Sequence, residues 1–192
     1  GWGISTELRW FQKKWEAEYR VIYIEADAEL DILDAEYTDL YLVIIKKIAD
    51  ELYKLNCQFD TQLLNNFESW FKEITQETEQ SVDRSVSMET SAEAKVQAQI
   101  KGADKQKQTI RQSLQKDIGR LQADNNLLLS DAFVKLRQKD EKYNKGFLII
   151  FDNLDRVPLN VANHLFFDYA AQLQSLHCTI IYTAPISVVY SD

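Results

Sequence analysis

Proline and glycine are scarce in this chain, two and five in 192 residues, where average usage would give roughly ten and thirteen. So little turn chemistry excludes an all-β sandwich, which needs a turn every 8–12 residues or so, and leaves long helices to dominate. Cysteine is nearly absent. Cys57 and Cys178 stand far apart in apolar surroundings, which removes a disulfide framework and a cysteine-rich zinc site and fits a reducing, cytoplasmic compartment. No apolar run approaches the ~20 residues of a membrane span, and no charged-then-apolar leader opens the chain. His164 and His177 are the only histidines. Neither has an Asp or Cys at ligand spacing, so metal-ligand and Ser/His/Asp arrangements are not supported, and structural roles are expected for both.

What is present is an ordinary globular mixture, 45% hydrophobic and 27% charged, with a net charge of -8. The charge gives no global reason to expect nucleic acid as a partner. It is unevenly spread. Residues 1–74 carry 8 basic and 15 acidic side chains, 75–145 carry 13 and 11, and 146–192 carry 1 and 4. The middle third is compositionally a different object. Its Lys95, Lys101, Lys105, Lys107, Arg111 and Lys116 are interleaved with acids and glutamines rather than aromatics, the pattern of a mixed-charge solvated face and not of a base-stacking surface.

Leu8, Phe11 and Trp15 follow helical spacing after a Gly-x-Gly opening and predict a short amphipathic helix from Ser5 to Trp15. Residues 21–26 are β-branched and aromatic and read as a strand. The acids Asp27, Glu29, Asp31, Asp34 and Glu36 follow; without a turn glycine or a closing Glu in register they read as a solvated loop with an N-cap rather than a calcium loop. Leu40, Val43, Ile44, Ile48, Leu52 and Leu55 mark a helix from Tyr37 to Leu55, and Leu63, Leu64, Phe67, Trp70, Phe71 and Ile74 a further one. Residues 75–103 are polar and predict a flexible or weakly helical connector. From Asp104 to Tyr143, Leu114, Ile118, Leu121, Asn125, Leu128 and Ala132 alternate steps of four and three. Fewer than three heptads favour a helical hairpin on its own domain over an intermolecular coiled coil. Residues 147–152 form an apolar run fit for the centre of a parallel sheet. A helical pattern from Pro158 to Leu176 and a strand at 178–183 complete an α/β order with crossover connections.

Two segments fall in the order of a nucleotide site. In the loop G-x-x-x-x-G-K-S/T, backbone N–H groups at a helix start hold phosphates, the Lys reaches the outer phosphates and the hydroxyl serves magnesium. Gly3-Ile4-Ser5-Thr6-Glu7-Leu8 looks like its second half, and Leu148-Ile149-Ile150-Phe151-Asp152 looks like the strand whose terminal Asp orients the magnesium shell. With Asp152-Asn153-Leu154-Asp155-Arg156 next and Thr183 ending the last strand, the set resembles P-loop ATPases of the AAA+ and STAND groups over residues 1–56 and 145–192.

The resemblance implies a three-layer P-loop NTPase-like α/β fold with a parallel sheet in the order 5-1-4-3-2. Residues 1–74 and 146–192 would form the core and 75–145 a long helical insertion. The strands near 21–26, 147–152 and 178–183 would be the second, third and fourth. The Gly1-Trp2-Gly3 opening, without an initiator Met, reads as an excerpt, with the first strand and loop front before Gly1, the fifth strand after Asp192, and an open apolar edge on the fourth. Carried over, Gly3 takes the last loop glycine, Ser5 the magnesium hydroxyl, Thr6 a phosphate contact, Asp152 the magnesium-orienting acid and Thr183 the strand-tip sensor. The cofactors implied are ATP and Mg2+. Ile4 stands where the phosphate-binding Lys belongs, and Asn153 where many relatives carry the water-activating acid, with Asp155 the nearest substitute. Hydrolysis by this chain alone is therefore not expected. Two functions are open: the ATP-binding module of a signalling or regulatory ATPase, with an oligomeric or effector partner reached through the insertion, or a non-catalytic scaffold that kept the fold and works through the insertion. Neither a membrane nor nucleic acid is expected as a partner.

Overall fold

The computed structural model describes residues 3–79 and 104–189. It is a mixed helix and sheet domain. Helix α1 (Ile4–Trp15) leads into strand β1 (Arg20–Glu25), a single turn α2 (Ala26–Glu29), and helices α3 (Tyr37–Lys54) and α4 (Thr61–Glu79). Helices α5 (Asp104–Lys116) and α6 (Ile118–Lys139) follow, then β2 (Phe147–Asp152), α7 (Leu159–Asn163), α8 (Ala170–Gln174), β3 (Thr179–Tyr182) and α9 (Ile186–Val189). The three strands are parallel in the order β1-β2-β3. Arg20 pairs with Phe147 and Glu25 with Asp152, so β1 and β2 end level with each other.

Every residue of β2 is buried, as its unbroken apolar run requires of a central strand. Strand β1 alternates: Ile22 and Ile24 are buried while Val21 and Tyr23 are half-buried and Glu25 is exposed. Ile22, Ile24, Phe147, Ile149 and Phe151 join the main core on one sheet face with Tyr41, Ile44 and Ile48 of α3. The opposite face carries Tyr23 and Asp152. Helix α1 reaches that face through Arg9, whose guanidinium lies 4.2 Å from the Tyr23 ring centre, yet α1 buries no residue fully. Phe11, expected on its inner face, is exposed; Ser5, Leu8, Gln12 and Trp15 are the half-buried positions instead.

The middle segment packs on its own domain. Leu114, Leu121, Leu128, Ala132 and Leu136 are buried in the same core as α3, the packing on this domain that the short repeat predicts. The helix predicted over 104–143 is two helices, because Asp117 leaves helical geometry and its carboxylate accepts the N–H of Arg120 to cap α6. The apolar period runs through the break, so spacing alone could not locate it. Asn125 is wholly buried in this core, and its amide donates to the Leu121 carbonyl at 2.8 Å within the helix. Of the connector expected over 75–103, residues 75–79 continue α4 as helix, and 80–103 lie outside the described residues.

The other departures are local. The strand expected at 21–26 is Arg20–Glu25, with Ala26 opening a helical turn, and that expected at 178–183 is Thr179–Tyr182. The helix expected over Pro158 to Leu176 is interrupted by a π-helical turn, His164–Asp168. There His164 meets Glu36 at 2.8 Å and, at 3.4 Å, Asp168 four residues on, an acid at helical spacing that the sequence reading overlooked.

The acidic run after β1 is solvated only in part: Asp27 and Asp31 are exposed and Glu36 is the N-cap of α3, as expected, while Glu29, Asp34 and Asp39 are engaged by cations. Glu29 accepts from Lys46 at 3.2 Å and Lys47 at 2.6 Å, and these bonds outweigh a burial that alone would raise its pKa, leaving the carboxyl below its ordinary range. Asp34 and Asp39 receive Arg111, which is only 3% exposed. Lys107, 5% exposed, donates to the Asp34 carbonyl. The predicted solvated basic face is thus corrected at Lys107 and Arg111: two of its cations are buried anchors between α5 and the start of α3.

Burial pushes the Cys178 thiol up to about 12. At pH 8 it should resist iodoacetamide in the folded protein, while the half-buried Cys57 reacts first. Peptide mapping after brief alkylation checks this; an early adduct on Cys178 would contradict the packing at the start of β3.

Candidate functional site

Strand β2 delivers Asp152 to the C-terminal edge of the sheet, where ligands of open parallel sheets gather. The chain then turns sharply. Asn153 adopts the left-handed region at φ 65°, which aims its N–H back at Asp152 Oδ1 at 2.8 Å. Asn is among the few residues besides Gly that take this geometry readily. A short 3-10 turn, Leu154–Arg156, follows. Thr183, directly after β3, accepts the Leu154 N–H on Oγ1 at 3.0 Å, and its own N–H donates to the Phe151 carbonyl at 3.1 Å. Its hydroxyl is 3.5 Å from that carbonyl. Thr183 therefore laces the tips of β2 and β3 together, and its polar atoms are engaged there.

The other carboxylate oxygen of Asp152 accepts the hydroxyl of Tyr23. Sheet geometry dictates the meeting. Glu25 stands directly opposite Asp152, and residues two apart on a strand share a face, so Tyr23 is the diagonal neighbour within reach of a long side chain. Ser5, at the first turn of α1, lies beside both Tyr23 and Asp152, near enough for its hydroxyl to favour the charged form of each. Burial alone would raise the Asp152 pKa; the bonds from Tyr23 and the Asn153 N–H, with the nearby Ser5 hydroxyl and the charge of Arg156, outweigh it and hold the carboxyl below its ordinary range. Burial and the same bond to Asp152 push the Tyr23 phenol up to about 12. The pair is a carboxylate held by a neutral phenol donor.

Two cations frame it. Arg9 bonds Glu25 at 3.2 Å while covering the Tyr23 ring, which offsets the like charges of Glu25 and Asp152 facing each other across the strands. Arg156 meets Asp27 Oδ2 at 3.2 Å, and the Asn153 amide donates to Asp27 Oδ1 at 2.7 Å. Asp27 thus lies at the sheet edge beside the residue expected to be an acid. Asp155 sits in the 3-10 turn, and its carboxylate takes no hydrogen bond among the described residues.

The remaining expected positions lie at the start of α1. Gly3 is the N-cap in extended geometry, with nothing within 4 Å of where a Cβ would stand. Ile4 is 53% exposed and Thr6 is exposed, its N–H bonded to the Gly3 carbonyl at 3.0 Å. The structure therefore gathers Ser5 and Asp152, with Thr183 and Asn153 tied into the supporting turn. Tyr23, Arg9 and Asp27 are members that sequence reasoning missed. The alternation of β1, with Tyr23 between the core residues Ile22 and Ile24, was the available signal.

Ser5 beside Asp152 is a donor set suited to a magnesium ion held mostly by phosphate oxygens and water. No group of three or more His, Cys, Asp or Glu side chains gathers as a self-sufficient metal centre among the described residues. Nor is any helix among them long and apolar enough to cross a membrane. A cavity of about 460 Å³ opens at the opposite end of the strands, between Phe133 of α6, Gly146 and Thr179, away from this chemistry. Comparison with known proteins finds no matching family model, no matching curated protein and no matching solved structure.

Proposed function

We propose that this chain contributes the Asp-bearing strands and first helix of a P-loop-type nucleotide-binding domain, and that ATP with magnesium is its ligand. One observation carries the reading: Ser5, in the first turn of a helix, lies beside a buried Asp at the end of the central strand of a parallel sheet, near enough to help lower its pKa. A hydroxyl for the metal and an acid for its water shell, placed together at a helix start, are what phosphate chemistry asks of a protein. The order β1-β2-β3 fits the second, third and fourth strands of such a sheet. Ile4 weakens the site, since no cation stands at its place to neutralise the outer phosphates.

A specific observation favours the second reading, a scaffold with a decayed site. Both Asp152 oxygens already have protein partners, and the insertion displays Leu127 and Val134 on its outer surface. A partner subunit or effector would then dock on the insertion. Calorimetry of magnesium-ATP with the chain as it stands, with Ile4→Lys, and with Ile4→Lys plus Asp152→Ala separates the two. A restored charge-assisted contact to phosphate should tighten binding at least tenfold, and the Asp152 change should undo most of the gain. Absence of binding in all three favours the scaffold.

A further inference from the structure

We infer that the outward face of α1 binds a second copy of this chain, the two α1 helices packing antiparallel about a twofold axis. Ser5, Leu8, Gln12 and Trp15 of α1 are half-buried against the domain, and the side left to solvent is not the polar one that a surface helix normally shows. Trp10 is 67% exposed, Ile4 53% and Phe11 37%. The rings are held in place. Trp10 meets Phe11 edge-on with centres 5.2 Å apart, and Phe11 stacks on Trp15 at 5.5 Å. Aromatic side chains already ordered lose little freedom on docking, and a large ring at the centre of a patch is what anchors an interface. The inference is independent of the nucleotide reading, because Ser5 lies on the inward side of the helix.

Charge decides what docks there. At about 3.6 residues per turn, Glu7, Trp10, Phe11 and Lys14 share one stripe. Glu7 and Lys14 are exposed, and neither side chain has an ion pair or hydrogen bond among the described residues. They stand symmetrically about the aromatic pair, the acid three residues before Trp10 and the base three after Phe11. A twofold axis passing between Trp10 and Phe11 therefore sets each Glu7 against the other copy's Lys14 and each Trp10 against the other copy's Phe11, the reciprocal exchange that a self-complementary interface requires. Antiparallel helices also bring opposite dipole ends together. A lipid surface suits the stripe less: anionic headgroups would attract Lys13 and Lys14 but repel Glu7, and the whole chain carries -8. The 12 residues of α1 span about 18 Å. That is too short to bury the ~800 Å² per partner of a standard interface, so the dimer is a weak one, with Kd on the order of tens of micromolar.

Sedimentation equilibrium of the chain, at low salt and over concentrations that bracket this value, reads the association directly. The parent should pass from monomer to dimer, and Trp10→Ala should weaken the dimer at least about tenfold, the loss expected at an anchor residue. Glu7→Lys and Lys14→Glu each turn two attractive pairs into two repulsive ones, and each should weaken self-association about tenfold. Both positions are exposed, so neither variant threatens the fold. An equimolar mixture of the two restores both attractive pairs and should associate with the parent's affinity, one copy of each variant per dimer. A parent that stays monomeric throughout, a dimer indifferent to Trp10→Ala, or a mixture no tighter than its separate components overturns the inference. So does a monomeric parent whose tryptophan emission shifts to the blue on phosphatidylserine vesicles, a result that assigns the face to a lipid surface instead.

Discussion

Arg111→Ala should destabilise the fold by about 3–5 kcal/mol, the cost of leaving a buried carboxylate without its cation. Arg111 bonds Asp39 through Nε at 3.2 Å and again through its second terminal nitrogen, with both side chains almost wholly out of solvent. Its other terminal nitrogen meets Asp34 Oδ2 at 2.9 Å. Asp39 cannot turn to water, since its Oδ2 also accepts the Glu36 N–H at 3.1 Å in the capping box that starts α3. Loss of the guanidinium therefore strands a charge and loosens a helix start together. Domains of this kind are typically stable by only about 5–15 kcal/mol, so urea unfolding followed by circular dichroism should show the midpoint fall steeply. Arg111→Met with Asp39→Asn removes both charges while keeping an amide oxygen for the cap, and most of the stability should return. A single variant as stable as the parent would mean that the insertion is not anchored here.

Gly146→Ala should cost about 2–5 kcal/mol. Gly146 has φ 85°, a region that charges an L-residue roughly 1–2 kcal/mol. A Cβ there would stand 2.8 Å from Phe133 Cδ2 and 2.9 Å from Cε2, and overpacking of that order adds about 1–3 kcal/mol. The position is not free to drift: the Gly146 carbonyl accepts from Arg20 at 2.9 Å, the first rung between β1 and β2. Pairing Gly146→Ala with Phe133→Leu separates the two costs, because the smaller side chain relieves the clash and leaves the backbone strain. Full recovery in the double variant would show that strain contributes nothing.

The legible parts of the sequence were those written in hydrophobic period. Strand β2 and helix α3 bury long apolar sets, so Ile149 and Ile150 or Leu40 and Ile44 announce their elements without help from distant residues. The break at Asp117 and the π-turn at His164 were invisible, since apolar spacing continues across both. Charge was the least readable property. Lys107 and Arg111 look like surface cations until the fold brings Asp34 and Asp39, more than seventy residues earlier, against them. At the candidate site Ser5, Asp152 and Thr183 were found by residue type and order. Tyr23 was not, because β1 was read for what it buries inward and the outward residue of an alternating strand carries no label of its own. Asp27 was missed for a related reason: its partner Asn153 lies beyond the whole insertion, and pairing across that distance follows from register alone.

The pairing of β1 with β2 has a consequence for how the chain is made. Their partners lie about 127 residues apart, from Arg20 to Phe147. At synthesis rates of about 5–20 residues per second, β1 waits roughly 6 to 25 s for its neighbour to be made. During that interval the apolar side chains of β1 and α3 that end in the shared core, Ile22, Ile24, Ile44 and Ile48 among them, have no β2 to close over them. The insertion helices are finished before β2 and rest on α3 in the final fold, which makes the segment between the two strands an internal shield for the nascent half-sheet as well as a part of the mature surface.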